Sequence, residues 1–149
     1  MAKKAWLPPR WFVRLAWRTH RALYKVTGGR RGLGTPKPGD WGTLRLTATG
    51  RKSGEPRSVM LGYFEDGDDY VTMAMNGWSE GQPQWWLNLL AHPEAVVETK
   101  DGEVPIRARA AQGVERERLW SIWQEIDDNL DEYAKRRSQT DVVVFEPIG

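Results

Sequence analysis

Apolar and polar residues alternate on both sides of a short connection near residue 50. The apolar positions are Leu44, Leu46 and Ala48 before this connection and Val59, Leu61 and Tyr63 after it. A period of two on each side of a Gly-containing connection predicts an antiparallel hairpin. Asp66-Gly67 and Asp101-Gly102 are typical of further tight hairpin turns, because Asp-Gly favours the backbone conformation that such turns need.

The same periodicity predicts six strands, at 43–49, 57–64, 70–75, 94–100, 103–111 and 142–146. Helical spacing of apolar residues predicts a helix over about 10–27, a short one over 85–91 and a longer one over 114–126. A Gly/Pro-rich connector at 28–42 separates the first helix from the first strand. With 149 residues, the chain is expected to form one domain over 1–149, mainly β with flanking helices, as an antiparallel barrel or sandwich.

The charge is unevenly distributed along the chain. Residues 1–39 carry ten Lys and Arg and no acid, whereas residues 40–149 carry the other twelve bases and all twenty acids. On the predicted first helix the cations form a stripe beside an apolar face, at Arg10, Arg14, Arg18, Arg21 and Lys25. This pattern is typical of a helix that lies on an anionic membrane surface. A helix that packs on protein and leaves its cations solvated remains open.

Two features of the composition bear on the compartment. The chain has no cysteine, which excludes disulfides, a thiol nucleophile and a thiolate metal site. No apolar run approaches the length of a spanning helix or forms a signal-peptide core. We therefore expect a cytoplasmic protein, with peripheral contact through 10–27 at the inner face of the membrane as an open alternative.

The loop after the first strand concentrates cations and glycines. It reads Thr49-Gly50-Arg51-Lys52-Ser53-Gly54-Glu55-Pro56-Arg57. Glycines allow backbone N–H groups to approach a ligand closely, and Arg and Lys add charge-assisted hydrogen bonds. This combination favours a site for an anion such as phosphate, although a solvated hairpin loop has the same composition.

Several other chemistries lack support in the sequence. His20 and His92 lie in different predicted elements without a further ligand at metal-site spacing, so no metal site is expected. The chain has no nucleophile elbow, Walker loop or His-Glu-x-x-His motif. Nucleic-acid binding is disfavoured because no recognition motif accompanies the basic helix. A catalytic role would therefore depend on a bound cofactor.

Five separated motifs occur in an order that resembles one family. They are the cationic loop, Asn76-Gly77, Pro83-x-Trp85-Trp86-x-Asn88-Leu89, Leu119-Trp120 and the closing Val142–Pro147 run. Together they are similar to the deazaflavin-dependent nitroreductases, the coenzyme F-420-dependent reductases of actinobacteria. This resemblance implies a split β-barrel related to flavin-binding reductases. Thr140-Asp141 and Met75-Asn76 depart from residues common in the family, which leaves the substrate range open.

The resemblance also implies site residues. The phosphate and oligoglutamate tail of coenzyme F-420 would be held by Arg51, Lys52, Ser53 and Arg57. The other coenzyme-binding residues of this loop would be Thr49, Gly50, Gly54 and Pro56. The deazaflavin ring would be lined by Met73, Ala74, Met75, Asn76 and Gly77, with Trp85 and Trp86 closing the far side of the groove. Tyr133 would orient the substrate.

The activity implied by the resemblance is hydride transfer from F-420H2 to an electron-poor small molecule, such as a quinone, enone or nitroaromatic. A deazaflavin has carbon in place of a redox nitrogen of flavin and passes two electrons at once, so the protein needs cations, glycines and aromatics more than a catalytic dyad. Two alternatives remain open: an FMN-binding flavin reductase on the same barrel, and a non-catalytic cofactor- or lipid-binding protein. A homodimer is also open.

Overall fold

The fold is taken from a computed structural model, which describes residues 33–37, 40–78 and 80–148. The predicted helix over 10–27 and most of the 28–42 connector lie outside the described residues. Within the described part of the connector, Gly34 pairs with Thr43, and Lys37 pairs with Asp40. None of the helices in the described ranges is long and apolar enough to cross a membrane.

The described elements follow the predicted order closely. The strands are β1 (Gly42–Thr49), β2 (Pro56–Asp66), β3 (Asp69–Met73), β4 (Glu94–Thr99), β5 (Gly102–Ala110) and β6 (Val142–Pro147). The helices are α1 (Gln84–Ala91), α2 (Gly113–Ile126) and α3 (Leu130–Ala134), with a 3-10 turn at Asn76–Trp78. The sequence prediction did not contain α3 or the 3-10 turn, because neither is long enough to show helical periodicity.

The six strands form a closed barrel in the order β1-β2-β3-β6-β5-β4. Every neighbouring pair is antiparallel, and β1 closes the barrel against β4 through Arg45–Thr47. The predicted fold class, mainly β with about six antiparallel strands, is therefore confirmed. The Asp66-Gly67 and Asp101-Gly102 turns also lie where they were predicted, between β2 and β3 and between β4 and β5.

The buried apolar side chains on the two faces of the sheet belong to two clusters. One fills the barrel and includes the alternating residues Leu44 and Leu46 of β1, with Phe145 of β6. The other lies between the outside of the barrel and α2, where Trp123 contacts Phe64. Strand β6 contributes to both clusters, since Val143 and Phe145 point inward while Val142 and Val144 point outward. Its continuous apolar run follows from burial on both faces.

The helices cover different parts of the barrel. Helix α1 closes one end, because Trp86 and Leu89 both belong to the cluster inside the barrel. Helix α2 covers the outer face of β6 and of the β2–β3 hairpin through Leu119 and Trp123. Asp131 of α3 accepts hydrogen bonds from Trp120 and Gln124, which ties α3 to α2.

Candidate functional site

The topology brings the predicted site segments to one end of the barrel. Strands β1 and β3 both finish at this end, since each is antiparallel to β2. Strand β6 begins there, where Val142 pairs with Met73. The cationic loop (residues 49–57), the β3–α1 loop (described at 74–78 and 80–83), α1 and the segment 135–141 therefore meet around one opening. The first of these segments ends 78 residues before the last one begins, from Arg57 to Lys135.

The cationic loop is a closed turn with its cations outside. Gly50 N–H donates to Glu55 O, and Gly54 N–H donates to Gly50 O, each at 2.8 Å. A Cβ on Gly50 would lie 2.8 Å from Ser53 Oγ, so only glycine fits without displacing that hydroxyl. Ser53 Oγ in turn accepts from Glu55 N–H and from the Arg57 guanidinium, at 3.1 and 3.3 Å. The loop is thus held by its own glycines and serine.

The three cations of this loop have different surroundings. Arg51 is bound to α1: its backbone N–H and its guanidinium both donate to Asn88 Oδ1, at 3.1 and 2.9 Å, and the guanidinium also reaches Gln84 at 2.8 Å. Lys52 is exposed, and Arg57 is half-buried. Neither Lys52 nor Arg57 forms an ion pair within the part of the chain that the structure describes. Arg51 therefore anchors the loop, and the other two cations are available to a ligand.

The barrel is incompletely paired beside this loop. Strand β2 pairs with β1 from Pro56 to Tyr63, but with β3 only at Phe64–Asp66. Among the described residues, the first half of β2 has no strand on its second edge. The inward-facing Val59 and Leu61 on this half are only partly buried, unlike Leu44 and Leu46 opposite. The described residues therefore leave a groove that opens into the barrel between β2 and the β3–α1 loop.

The β3–α1 loop has an unusual backbone next to this groove. Asn76 and Gly77 have positive φ values of 49° and 61°. Asn76 is the one non-glycine residue with this conformation among those described, and its side-chain amide donates to the carbonyls of Glu80 and Gly81. Left-handed backbone at a non-glycine residue is found preferentially at ligand sites, where the surrounding structure holds it.

The other predicted ring-lining residues differ in what they can offer. Met73 and Ala74 are buried, with exposures of 1% and 0% for the whole residue, so neither presents surface to a ligand in the groove. The Ala74 N–H donates to Asp141 O, and Met75 O accepts from Arg137. Side-chain contact from this segment is therefore restricted to Met75 and Asn76, which are half-buried.

The two adjacent tryptophans of α1 point in different directions, because consecutive helical residues are about 100° apart. Trp86 is 2% exposed, and its indole N–H donates to Asp141 Oδ2 at 2.8 Å. Trp85 is partly exposed, with its ring edge-on to Phe145 at a centroid distance of 6.4 Å. Trp85 thus keeps surface that a ligand could reach, whereas Trp86 is buried in the floor of the barrel end.

Tyr133 lies on α3, one turn before the segment that contacts the β3–α1 loop. Its ring is half-buried, and the Arg136 guanidinium lies over the ring, with its central carbon 5.3 Å from the ring centroid. Four residues later, Arg137 reaches the carbonyls of Met75 and Gly81. Tyr133 therefore lies four residues before a side chain that contacts the β3–α1 loop directly.

Three residues at this end of the barrel were not predicted from the sequence. Arg137 and Asp141 hydrogen-bond the β3–α1 loop and Trp86, and Glu80 accepts from the N–H and hydroxyl of Ser138 at 2.6 and 2.9 Å. The Ser138 hydroxyl, followed by its backbone N–H, lowers the pKa of Glu80. All three join segments more than fifty residues apart, and no local motif marks them.

A six-stranded antiparallel barrel, open beside one strand and flanked by a cationic glycine loop, defines the class: a split β-barrel of the flavin-binding type. A sequence model of the F-420H2-dependent quinone reductase family matches residues 16–147. The chain belongs to this family, and it is accordingly an oxidoreductase that uses coenzyme F-420.

Relatives and solved structures agree with this assignment. An F-420H2-dependent quinone reductase of Mycobacterium tuberculosis (strain H37Rv) is 34% identical over 125 residues, which cover 83% of this chain and 81% of the relative. A solved F-420H2-dependent reductase has a TM-score of 0.65 at 30% identity and covers 76% of this chain and 97% of its own. A second solved structure, described as a domain-swapped dimer, has a TM-score of 0.68 at 30% identity, over 89% and 96% of the two chains.

The residues at the open end of the barrel fit the coenzyme of this family. The available cations Lys52 and Arg57 match a phosphate and a polyglutamate tail, since both are anionic. The groove beside β2, with Trp85 at its base, matches a flat ring system. The fit rests on two cations that lack an acidic partner, and on a strand edge that lacks a neighbour, within the described part of the chain.

Proposed function

We propose that the coenzyme lies across the open end of the barrel, with its anionic tail on the cationic loop and its ring in the groove beside β2. The observation that carries this proposal is the juxtaposition of two cations, Lys52 and Arg57, with the first half of β2. Among the described residues, neither cation has an acidic partner and this half of β2 has no second strand partner. Charge and shape then favour the same orientation of the coenzyme, in which its tail lies toward residues 52–57 and its ring lies toward residues 74–77.

The open edge of β2 supports the ring position. Gly62 O points toward β3, because it accepts from Thr72 Oγ1 at 2.7 Å. In an antiparallel strand the N–H and C=O of one residue point to the same side, and the side alternates with each residue. The backbone groups of Ser58 and Met60 therefore face the groove. Along this edge, backbone N–H donors alternate with backbone C=O acceptors. This alternation matches the carbonyl and N–H groups on the pyrimidine edge of a deazaflavin.

The acceptor would occupy the remaining face of the ring. F-420H2 supplies a hydride, and reduction of a quinone to the hydroquinone also takes up a proton. We propose a quinone as the acceptor class because the family is defined by it. Tyr133 would orient that quinone, since α3 leads directly into the segment that contacts the groove. The enone and nitroaromatic acceptors remain candidates of the same electron-poor class.

A binding titration tests the coenzyme assignment. Purified protein is titrated with F-420 and, separately, with FMN, and the change in coenzyme fluorescence is followed. The expected result is saturable binding of F-420 with little binding of FMN, followed by oxidation of F-420H2 when menadione is added. Saturable FMN binding without F-420 binding would favour the flavin reductase alternative. Coenzyme binding without turnover of any quinone would favour a non-catalytic binding protein.

Assembly and membrane contact are further parts of the proposal. The relative described as a domain-swapped dimer supports a homodimer for this chain, which light scattering after gel filtration tests directly. The cationic stripe predicted over 10–27 supports peripheral contact with an anionic bilayer, where a quinone would be available. Sedimentation with anionic vesicles tests this contact. Binding that fades with salt and disappears when 1–27 are deleted would support it, and no binding at low salt would exclude it.

A further inference from the structure

Arg137 is the most deeply buried cation at the open end of the barrel. Only 8% of the residue is exposed, yet its guanidinium is satisfied mainly by neutral oxygens. It donates to Met75 O at 3.1 Å and to Gly81 O at 2.8 Å on one side. On the other side it donates to Gln139 O and Thr140 Oγ1, each at 3.1 Å. One side chain therefore joins the β3–α1 loop, which forms one wall of the groove, to the segment that leads into β6.

We propose that Arg137 is the positioning residue that fixes the β3–α1 loop against the segment leading into β6, and thereby sets the width of the coenzyme groove. This inference rests on the proposed function, which assigns the ring to the groove beside that loop. The loop needs such a fixed point because Asn76 adopts a left-handed backbone, whose cost in free energy the surrounding contacts must offset. Arg137 binds the carbonyl of Met75, the residue before it.

The geometry requires a guanidinium in particular. Its planar fork presents several N–H groups in fixed directions, so it can satisfy Met75, Gly81 and Thr140 at once. An ammonium at the same place is a point charge and cannot span all three acceptors. Glu80 adds a second connection between the same two segments through Ser138, but it is exposed and lies at the rim.

The test compares Arg137→Lys and Arg137→Met with the parent chain. Lys135→Met is the matched control, since it removes an exposed cation from the same segment. The first measurement needs no coenzyme: amide hydrogen exchange of a peptide covering 74–82. Exchange is expected to accelerate in both Arg137 variants and to remain as in the parent in the control. Exchange unchanged from the parent in both variants would overturn the proposal.

The second measurement is turnover per folded molecule, with F-420H2 and menadione. A reacting group displaced by about 1 Å can lose up to about a hundredfold in rate, so we expect kcat of Arg137→Lys to fall about ten- to a hundredfold. The KM for menadione is expected to change little, because the guanidinium of Arg137 is engaged by the β3–α1 loop and by the segment before β6. A variant with lower thermal stability but the parent's turnover would show a merely structural role and overturn the proposal.

The two proposals fail separately in this design. If the parent chain does not bind F-420, the proposed function fails, and the exchange measurement still decides whether Arg137 fixes the loop. If the parent binds and turns over but Arg137→Lys matches it in exchange and kcat, only the positioning role fails.

Discussion

The indole N–H of Trp86 donates a hydrogen bond of 2.8 Å to Oδ2 of Asp141. Trp86 lies on the helix that closes the barrel, and Asp141 immediately precedes β6. The same carboxylate accepts hydrogen bonds from the side-chain amides of Gln82 and Gln139. Through Gln82 and Trp86 it connects the β3–α1 loop to α1. The floor of the candidate groove thus depends on an acid fifty-five residues away in sequence.

Removal of this acceptor should loosen the floor of the groove. Asp141→Ala leaves the buried Trp86 N–H without its partner, which costs about 1–3 kcal/mol in the free energy of unfolding. Denaturant titration measures this loss. Gln139→Ala is the control, because its amide is exposed and its loss should change stability by less than about 0.5 kcal/mol. An Asp141→Ala protein as stable as the parent would contradict the role assigned to this bond.

The two available cations should carry much of the coenzyme affinity. Lys52→Ala and Arg57→Ala each remove a charge-assisted contact, worth about 1.5–3 kcal/mol, and should raise the Kd for F-420 about ten- to a hundredfold. Fluorescence titration gives the Kd. Lys100→Ala serves as control, since it removes an exposed cation at the opposite end of the barrel. Unchanged binding in both loop variants would exclude this loop as the tail site.

Asn88 should matter for stability through Arg51. Its Oδ1 accepts both the backbone N–H and the guanidinium of Arg51, and the residue is 5% exposed. Asn88→Leu keeps the volume but leaves the Arg51 N–H unpaired, so the free energy of unfolding should fall by about 1–3 kcal/mol. Gln84→Leu, which removes only the exposed contact with Arg51, should have a much smaller effect. Equal losses in the two variants would refute this difference.

Tyr133 should affect the acceptor more than the coenzyme. Tyr133→Phe removes the hydroxyl that would orient a quinone, so kcat/KM for menadione should fall while the Kd for F-420 stays close to the parent's. Stopped-flow turnover and fluorescence titration give the two values. Arg136→Ala controls for disturbance of the ring, because its guanidinium stacks on Tyr133. A Phe variant that loses thermal stability and keeps its turnover would indicate a packing role instead.

The ion pair between α2 and β5 should contribute to stability only above acidic pH. Hydrogen bonds from Arg109 lower the pKa of Glu115 below its ordinary value of 4.5. A carboxylate with a lowered folded-state pKa contributes fully above its ordinary pKa, and the contribution is lost as pH falls through the folded-state value. Glu115→Gln should therefore reduce the slope of stability against pH below about 4.5.

The control for this pH dependence is Glu117→Gln, an exposed position on the same helix. Thermal unfolding at a series of acidic pH values gives the slope for each variant. The effect should be modest, because both partners of the pair are about one-third exposed and solvent screens their attraction. If the slope is the same in the parent and in Glu115→Gln, the pair does not contribute to acid sensitivity.

The fold could be predicted from the sequence because its signals are local. Alternation along β1 and β2, and the Asp-Gly turns, gave the strand bounds to within two residues. The cationic loop was equally visible, since its glycines, serine and cations are contiguous. The family resemblance added one prediction, that residues 73–77 line the deazaflavin ring. Composition alone predicts only a glycine-containing loop there.

The remaining features of the site depend on contacts between distant segments. Arg137 and Asp141 bond to residues more than fifty positions away, and nothing near either residue in sequence distinguishes them from solvated charges. The burial of Trp86 beside an accessible Trp85 follows from the rotation of α1 against the barrel, which periodicity over eight residues does not define. The directions in which the two tryptophan side chains point could therefore not be predicted from the sequence.

The position of β6 has a consequence for how the chain folds during synthesis. This strand lies between β3 and β5 and supplies side chains to both apolar clusters, yet it is the last of the six strands to be made. Until residues 142–147 leave the ribosome, the nascent chain has two open sheet edges and two incomplete cores. Such edges are templates for aggregation. The barrel of this reductase therefore cannot close before β6 has been made, and premature termination before β6 should yield chains that depend on chaperones.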